Sequence, residues 1–316
     1  MAKQQRKLSP LFTYSPASDP GYVNVRDASD GPLKSARWLC EYLWIIYQNH
    51  ADEQFRTEFR SNFDQRFWEM YLTMTLIFSG YEVTCPNPGP DIGVIHRGRR
   101  IWFEATTPHK GAPTNPDRVP TPAGGMLEDV PEDKLVLRHL SAVSAKCSEQ
   151  HKAWLARGII AKEDAYIVAI NTRELGFHDP KADPPIILQT AYGIGKPFFE
   201  IDRQTGTVVA KKYEQRSHIS RTPTTLSTSS DKTAPSKQKA PVETGVFQDK
   251  QYAFLSGLVC SHVDAANCAG EMGSDFQVAS NPNAEVLLPD DIRLRGNHYE
   301  GRRQGSEIQV VRKFRS

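Results

Sequence analysis

The sequence predicts a mixed α/β (α+β) fold: a central mixed β-sheet flanked by helices, with a C-terminal β-rich extension. Three observations predict it. Residues 88–108 read PGPDIGVIHRGRRIWFEATTP, two apolar runs around a polar turn that carries Gly98, the pattern of a β-hairpin. Residues 165–170 read AYIVAI, apolar without alternation, as a strand covered on both faces requires. Helical patterns lie before, between and after these segments. The order helix, hairpin, helix, central strand and further β is that of a mixed domain.

Taken in order, residues 1–31 are rich in Ser, Pro, Asp and Gly and are expected as an extended lead-in. Residues 33–49 follow as a helix, with Trp38, Leu39, Tyr42, Leu43, Ile45 and Ile46 as its apolar cluster. Residues 62–79 are apolar on almost every side and predict a buried helix, ended by Gly80. A short strand at 81–84 leads into the hairpin. A Pro- and Gly-rich loop over 107–130 precedes a long helix over 131–157, with Pro131 at its start and Gly158 after its end. Beyond the central strand, 184–192 reads as a helix and 198–210 as a hairpin turning at Thr205-Gly206. Residues 213–244 include HISRTPTTLSTSSDKTAPSKQKAPV, nearly free of large apolar side chains, and predict a disordered insertion. In 245–316, β structure resumes at 252–260 and 275–278, with an edge strand at 309–311. This region is expected as a recognition element, a dimer interface or an extension of the central sheet.

The 316 residues include 39% hydrophobic and 24% charged side chains, the composition of a soluble globular protein. No apolar run approaches the roughly 20 residues of a membrane span. The opening MAKQQRKLSPLFTYSP carries charge but no apolar stretch, so no secretory leader is expected. Cys40, Cys85, Cys147, Cys260 and Cys268 show no CxxC spacing, so reduced thiols in a cytoplasmic protein are expected rather than a zinc site. The net charge of +2 excludes no partner. Basic stretches at 3–7, 97–100 and 302–315 either attract phosphate or are solvated surface.

The carboxylates carry the chemistry. Asp91 opens the first hairpin strand and Glu104 closes the second, so chain reversal sets them side by side. Such a pair repels unless a cation lies between: either the two face water on opposite sides or they hold a metal. Glu69, in the buried helix, shares the face of Leu72 and Leu76. Ionised there, it needs a cation or several donors; a salt bridge or the wet edge of the helix is the alternative. On the long helix, at about 100° per residue, Leu135, Val136, Leu140, Ala142, Val143, Ala153 and Trp154 form an apolar arc that also contains Lys146, His139 and Gln150. Lys146 and Gln150, at i and i+4, project together. A lysine in that arc meets an anion or snorkels to solvent; Lys134 and Arg138 are expected on the surface. Glu69, Asp91, Glu104 and Lys146 are the groups that phosphodiester hydrolysis requires. Hard oxygens hold Mg²⁺, which Mn²⁺ can replace; the ion activates phosphate and water, and a lysine stabilises developing charge.

The stretch from Phe63 to Pro108 resembles the PD-(D/E)XK nuclease superfamily of restriction-endonuclease-like fold. The family pattern is a helix with a glutamate, a glycine ending it, a Pro-Asp on one strand and Glu-x-Lys on the next. Here these stand as Glu69, Gly80, Pro90-Asp91 and Glu104-Ala105-Thr106. The likeness covers about fifty residues well, extends loosely to Ile170 and says little beyond 200. It implies a nuclease core over 32–212, Mg²⁺ bound by Glu69, Asp91 and Glu104, DNA as the substrate, and dimerisation as in many nucleases of this fold. Where the family has lysine this chain has Thr106, which supplies no charge. Some branches carry the lysine on the following helix with a Gln beside it, and Lys146 and Gln150 look similar to that arrangement. The expected catalytic set is therefore Asp91, Glu104, Lys146, Glu69 and Gln150, with Lys110 as the lesser substitute. The alternatives are a nucleic-acid-binding protein of the same fold that has lost its chemistry, and a protein whose acids form structural salt bridges.

Other motifs carry less. There is no HxxxH or HExxH, which argues against a zinc hydrolase, and Tyr192-Gly193-Ile194-Gly195-Lys196 lacks the spacing of a phosphate-binding loop. It is expected as a helix-to-strand turn. The serines lack a GxSxG context. Asn281-Pro282-Asn283-Ala284 reads as a turn that braces the cleft or touches DNA. Arg97, Arg99 and Arg100 are expected at the far end of the hairpin from the acids.

Overall fold

Aromatic residues spaced four apart, Phe55, Phe59, Phe63, Phe67 and Tyr71, form a ladder with successive ring centroids 4.9–6.3 Å apart. That spacing keeps one helical face toward the core. The computed structural model of the chain describes residues 9–123, 129–179, 182–221, 241–268, 270–304 and 307–313. The ladder joins α3 (Phe55–Phe59) to α4 (Phe63–Phe78), behind α1 (Pro20–Arg26) and α2 (Gly31–Tyr47). The lead-in is thus helical in part, contrary to the expectation of an extended segment. Asp19 caps α1 through Tyr22 N–H and also accepts from Phe63 N–H, which fixes α1 against the start of α4.

Strand β1 (Val83–Thr84) leads to the hairpin β2 (Ile92–His96) and β3 (Arg99–Thr106). Arg97 and Gly98 both have positive φ, 49° and 77°, the two-residue turn whose twist matches paired strands. The long helix begins as α5 (Glu132–Ala145), passes through a π-helical segment at Lys146–His151 and resumes as α6 (Lys152–Ala156). Then follow β4 (Ala165–Asn171), α7 (Ile186–Tyr192), the hairpin of β5 (Ile194–Ile201) and β6 (Val208–Gln215), and a short pair, β7 (His218–Ile219) with β8 (Val242–Glu243). Residues 222–240 of the expected disordered insertion lie outside the described residues, as do the basic stretch at 3–7 and part of the one at 302–315. Gly193 ends α7 in the left-handed conformation, as the expected turn requires.

The C-terminal third completes the central sheet. It supplies β9 (Leu255–Ser261), β10 (Gln277–Ser280), β11 (Asn297–Gln304) and β12 (Glu307–Lys313). One eight-stranded sheet runs β1-β2-β3-β4-β9-β10-β11-β12. β3, β4 and β9 are mutually parallel, while β2–β3, β9–β10 and β11–β12 are antiparallel. Residues 245–316 therefore extend the central sheet, one of the roles expected for them, and 309–311 falls on its edge strand.

Alternation along the strands assigns the two faces. Ile101, Phe103 and Ala105 of β3, with Ala165, Ile167 and Ala169 of β4, join the core beneath α1–α4. Trp102, Tyr166, Val168 and Ile170 join the opposite core, with Val143 and Cys147 of the long helix and Ile187 and Leu188 of α7. Trp68 Nε1 donates to the Ala169 carbonyl at 3.0 Å and ties α4 to β4. Gly93 pairs with Trp102, and a Cβ at Gly93 would lie 2.4 Å from the indole. We therefore expect Gly93→Ala to lower stability by about 1–3 kcal/mol through overpacking, seen as a lower urea midpoint at unchanged slope. An unchanged midpoint would refute the packing of Trp102 over Gly93.

Candidate functional site

Glu104 occupies an even position on β3 and so points to the long-helix face, where it is 2% exposed. Its Oε2 accepts from Lys146 Nζ at 3.0 Å; its Oε1 accepts from Trp154 Nε1 and Tyr166 OH, both at 3.1 Å. Lys146 Nζ also lies 3.6 Å from Asp91. Asp91 precedes β2, at the end of the hairpin where β3 finishes, and its Oδ2 accepts from Ala105 N–H at 2.8 Å. Glu69 comes from α4 on the other face. Its Oε1 accepts from Tyr47 OH at 3.1 Å and its Oε2 from Arg66 at 2.7 Å. Arg66 also pairs with Asp52, at 3.2 Å, and with Glu58.

The π segment explains how one helix delivers two donors to Glu104. Lys146 and Trp154 are eight residues apart, which in regular α-helix would set them about 80° apart around the axis. The π turn absorbs one extra residue, so they behave as residues seven apart, within about 20° of one line. His151, in the same segment, stacks on Phe254 with centroids 3.7 Å apart and meets the edge of Tyr166, which steadies the tyrosine that donates to Glu104.

Electrostatics couple the acids through Asp91. Burial first, and Asp91 second, push both the Glu69 and the Glu104 carboxyls from the ordinary 4.5 up to about 7. For Lys146, burial opposes the charge, but Asp91 and Glu104 outweigh it and hold the ammonium above its ordinary range. Arg66 is held above its range in the same way, with Glu69 the largest cause opposing burial. Asp52, Glu58, Arg66, Glu69 and Asp91 line a cleft of about 310 Å³, and Glu104 is not among its walls.

Of the sequence-predicted residues, Asp91, Glu104 and Lys146 thus meet, and Glu69 shares a cleft with Asp91. Gln150 does not join them by hydrogen bonds: its Oε1 is buried without a partner. Lys110 bonds Thr121 Oγ1 in its own loop, and Arg138 approaches the Asp117 carbonyl. Thr106 ends β3, and the neighbouring Thr107 is held by Gln65 Oε1. Arg97 and His96 both reach Asp291, which pins the hairpin tip to the C-terminal region, far from the acids. Asn281 and Asn283 donate to the Leu255 and Phe247 carbonyls and brace the structure. Sequence reasoning missed Arg66, Tyr47, Trp154 and Tyr166. Only Arg66 carried a local signal, its i,i+3 spacing to Glu69. The five cysteines are free thiols, and no helix among the described residues is long and apolar enough to cross a membrane.

Two measurements check this geometry. Unfolding returns Glu69 and Glu104 to 4.5, so their protonated forms favour the fold. That stability is complete below pH 4.5 and is lost as pH rises through about 7. In chelator-treated protein, the urea midpoint should fall between about pH 5 and about pH 7.5, and Glu104→Gln should flatten the fall; equal slopes in both proteins would exclude the effect. Deleting Ser148 should remove the extra residue and leave Lys146 and Trp154 seven apart in regular α-helix, within about 20° of one line, so that both donors stay on Glu104. One alanine inserted after Ser148 should instead swing Trp154 about 100° from Glu104 and cost about 1–3 kcal/mol; an insertion as stable as wild type would mean that Glu104 does not depend on Trp154.

Comparison with protein-family models, with curated proteins and with solved structures found no match to the chain.

Proposed function

We propose that the chain is a metal-dependent phosphodiesterase of restriction-endonuclease-like fold that cleaves nucleic acid, with DNA as its substrate. The observation that carries the reading is Lys146 placed 3.0 Å from Glu104 and 3.6 Å from Asp91. It supplies, from the helix after the hairpin, the charge that Thr106 lacks.

The carboxylates suit a hard divalent cation. Asp52, Glu58, Glu69, Asp91 and Glu104 face two cations, Arg66 and Lys146, so negative charge is in surplus. Among the described residues no three His, Cys, Asp or Glu side chains converge as a ready metal cage. Mg²⁺ does not need one: it keeps several waters and binds through one or two carboxylates together with substrate phosphate. Asp91 would hold it, with Glu69 and Glu104 on either side, and Mn²⁺ could take its place. When bound, the ion polarises the phosphate and lowers the pKa of an attacking water.

The protein's own groups do the rest. Lys146, kept charged by Asp91 and Glu104, donates toward negative charge developing on the phosphate oxygens. Ala105 N–H fixes Asp91; Trp154 and Tyr166 fix Glu104; Arg66 and Tyr47 fix Glu69. These bonds set the carboxylates before substrate arrives. A second reading rests on the same bonds: Arg66 and Lys146 already neutralise Glu69 and Glu104, as in a nucleic-acid-binding protein without turnover.

Nicking of supercoiled plasmid with Mg²⁺ or Mn²⁺ tests the two. We expect wild type to cut and Asp91→Ala, Glu104→Ala and Lys146→Ala each to lose about 100-fold or more while remaining folded. Full activity in Lys146→Ala would remove that lysine from the mechanism. DNA retained on a filter but never cut would establish the second reading, and neither cutting nor retention would leave the acids as structural ion pairs.

A further inference from the structure

A second site lies beyond the carboxyl ends of the parallel strands β4 and β9, where open α/β sheets leave a crevice for ligands. Thr172, just past β4, and Cys260, near the end of β9, help to line a cavity of about 360 Å³, within the size range of small-molecule sites. Glu69, Asp91, Glu104 and Lys146 are not among its walls. Leu135, Leu175, Phe177 and Ile186 supply its apolar side.

Two buried polar atoms of the cavity, Gln189 Oε1 and His139 Nε2, are acceptors without a strong donor. Gln189 is 5% exposed, and its Oε1 is buried with no hydrogen-bond partner, while its Nε2 donates to Glu132 Oε2 at 3.4 Å. An orphaned amide oxygen of this kind is costly and calls for a donor. His139, 2% exposed, holds the Leu135 carbonyl at 2.8 Å through Nδ1; a carbonyl only accepts, so Nδ1 carries the proton. Burial lowers the ring's pKa to about 4, so it is neutral at pH 7 and its Nε2 is a bare acceptor. The Cys260 thiol, at 3.8 Å from Nε2, is a weak donor. Glu132 adds a carboxylate beside Gln189. Acceptors and a carboxylate against an apolar wall match a ligand with several N–H donors, a positive charge and an apolar body.

We infer that this cavity binds a small organic cation of the amidinium or guanidinium class, its N–H groups on Gln189 Oε1, His139 Nε2 and Glu132, its body against Leu175 and Phe177. Benzamidine and its neutral isostere benzamide separate charge from shape. In calorimetric titration of the full chain at neutral pH, benzamidine should bind at least about tenfold tighter than benzamide. Glu132→Gln and Gln189→Leu should each weaken it by about tenfold, and Asp91→Asn should leave it unchanged. Equal binding of the two probes, or heat from neither at about millimolar concentration, overturns the inference. So does loss of binding in Asp91→Asn, which would place the cation in the acidic cleft. Gln189→Leu is also informative as a fold: a variant that melts higher and titrates like wild type would make the cavity a merely hydrated space.

Discussion

The ion pair between Lys146 and Glu104 is the constraint on which the site depends. A carboxylate this deeply buried stays ionised only if a cation and donors replace its water. Removing one partner of such a pair costs about 3–5 kcal/mol, whereas the intact pair adds little net stability. Its role is therefore positional. Lys146 belongs to the layer on one face of the sheet and Glu69 to the layer on the other. Asp91, at the sheet's end, feels both acids. The charges hold two helical layers in register at the end of the sheet where they approach each other.

The π segment is the second element of that registration. Regular α-helix would bring Lys146 to Glu104 or Trp154 to Glu104, but not both along one line. A π turn that absorbs one residue resolves the conflict at the point where the lysine must enter. Such turns are uncommon in helices and frequent at functional sites, which accords with the proposed use of this lysine.

Much of this was legible in the sequence because it is local. The hairpin announces itself through two apolar runs around a turn glycine, and its reversal places Asp91 beside Glu104 without further information. Lys146 was legible as a charge inside an apolar arc. The π turn was not, since nothing in KCSEQH marks a departure from regular turns. Trp154 read as one more apolar residue, although its indole N–H is a donor. The position of β9 was beyond reach for a different reason: strand pairing at a separation of some ninety residues leaves no periodic trace between the partners.

That long-range pairing also shapes how the chain must assemble. β4 is central and covered on both faces, yet one of its two edges is satisfied only by β9, with Tyr166 paired to Leu255. During synthesis from the N-terminus, the first 254 residues emerge before that partner exists, so an apolar strand spends this interval with one row of backbone donors and acceptors unpaired. Late closure of this kind slows folding, because loop entropy is lost before the contacts form, and it leaves an edge open to other chains. The nascent protein is therefore most prone to aggregate just before its own C-terminal strand arrives, and a chain cut short ahead of Leu255 would keep that exposed edge permanently.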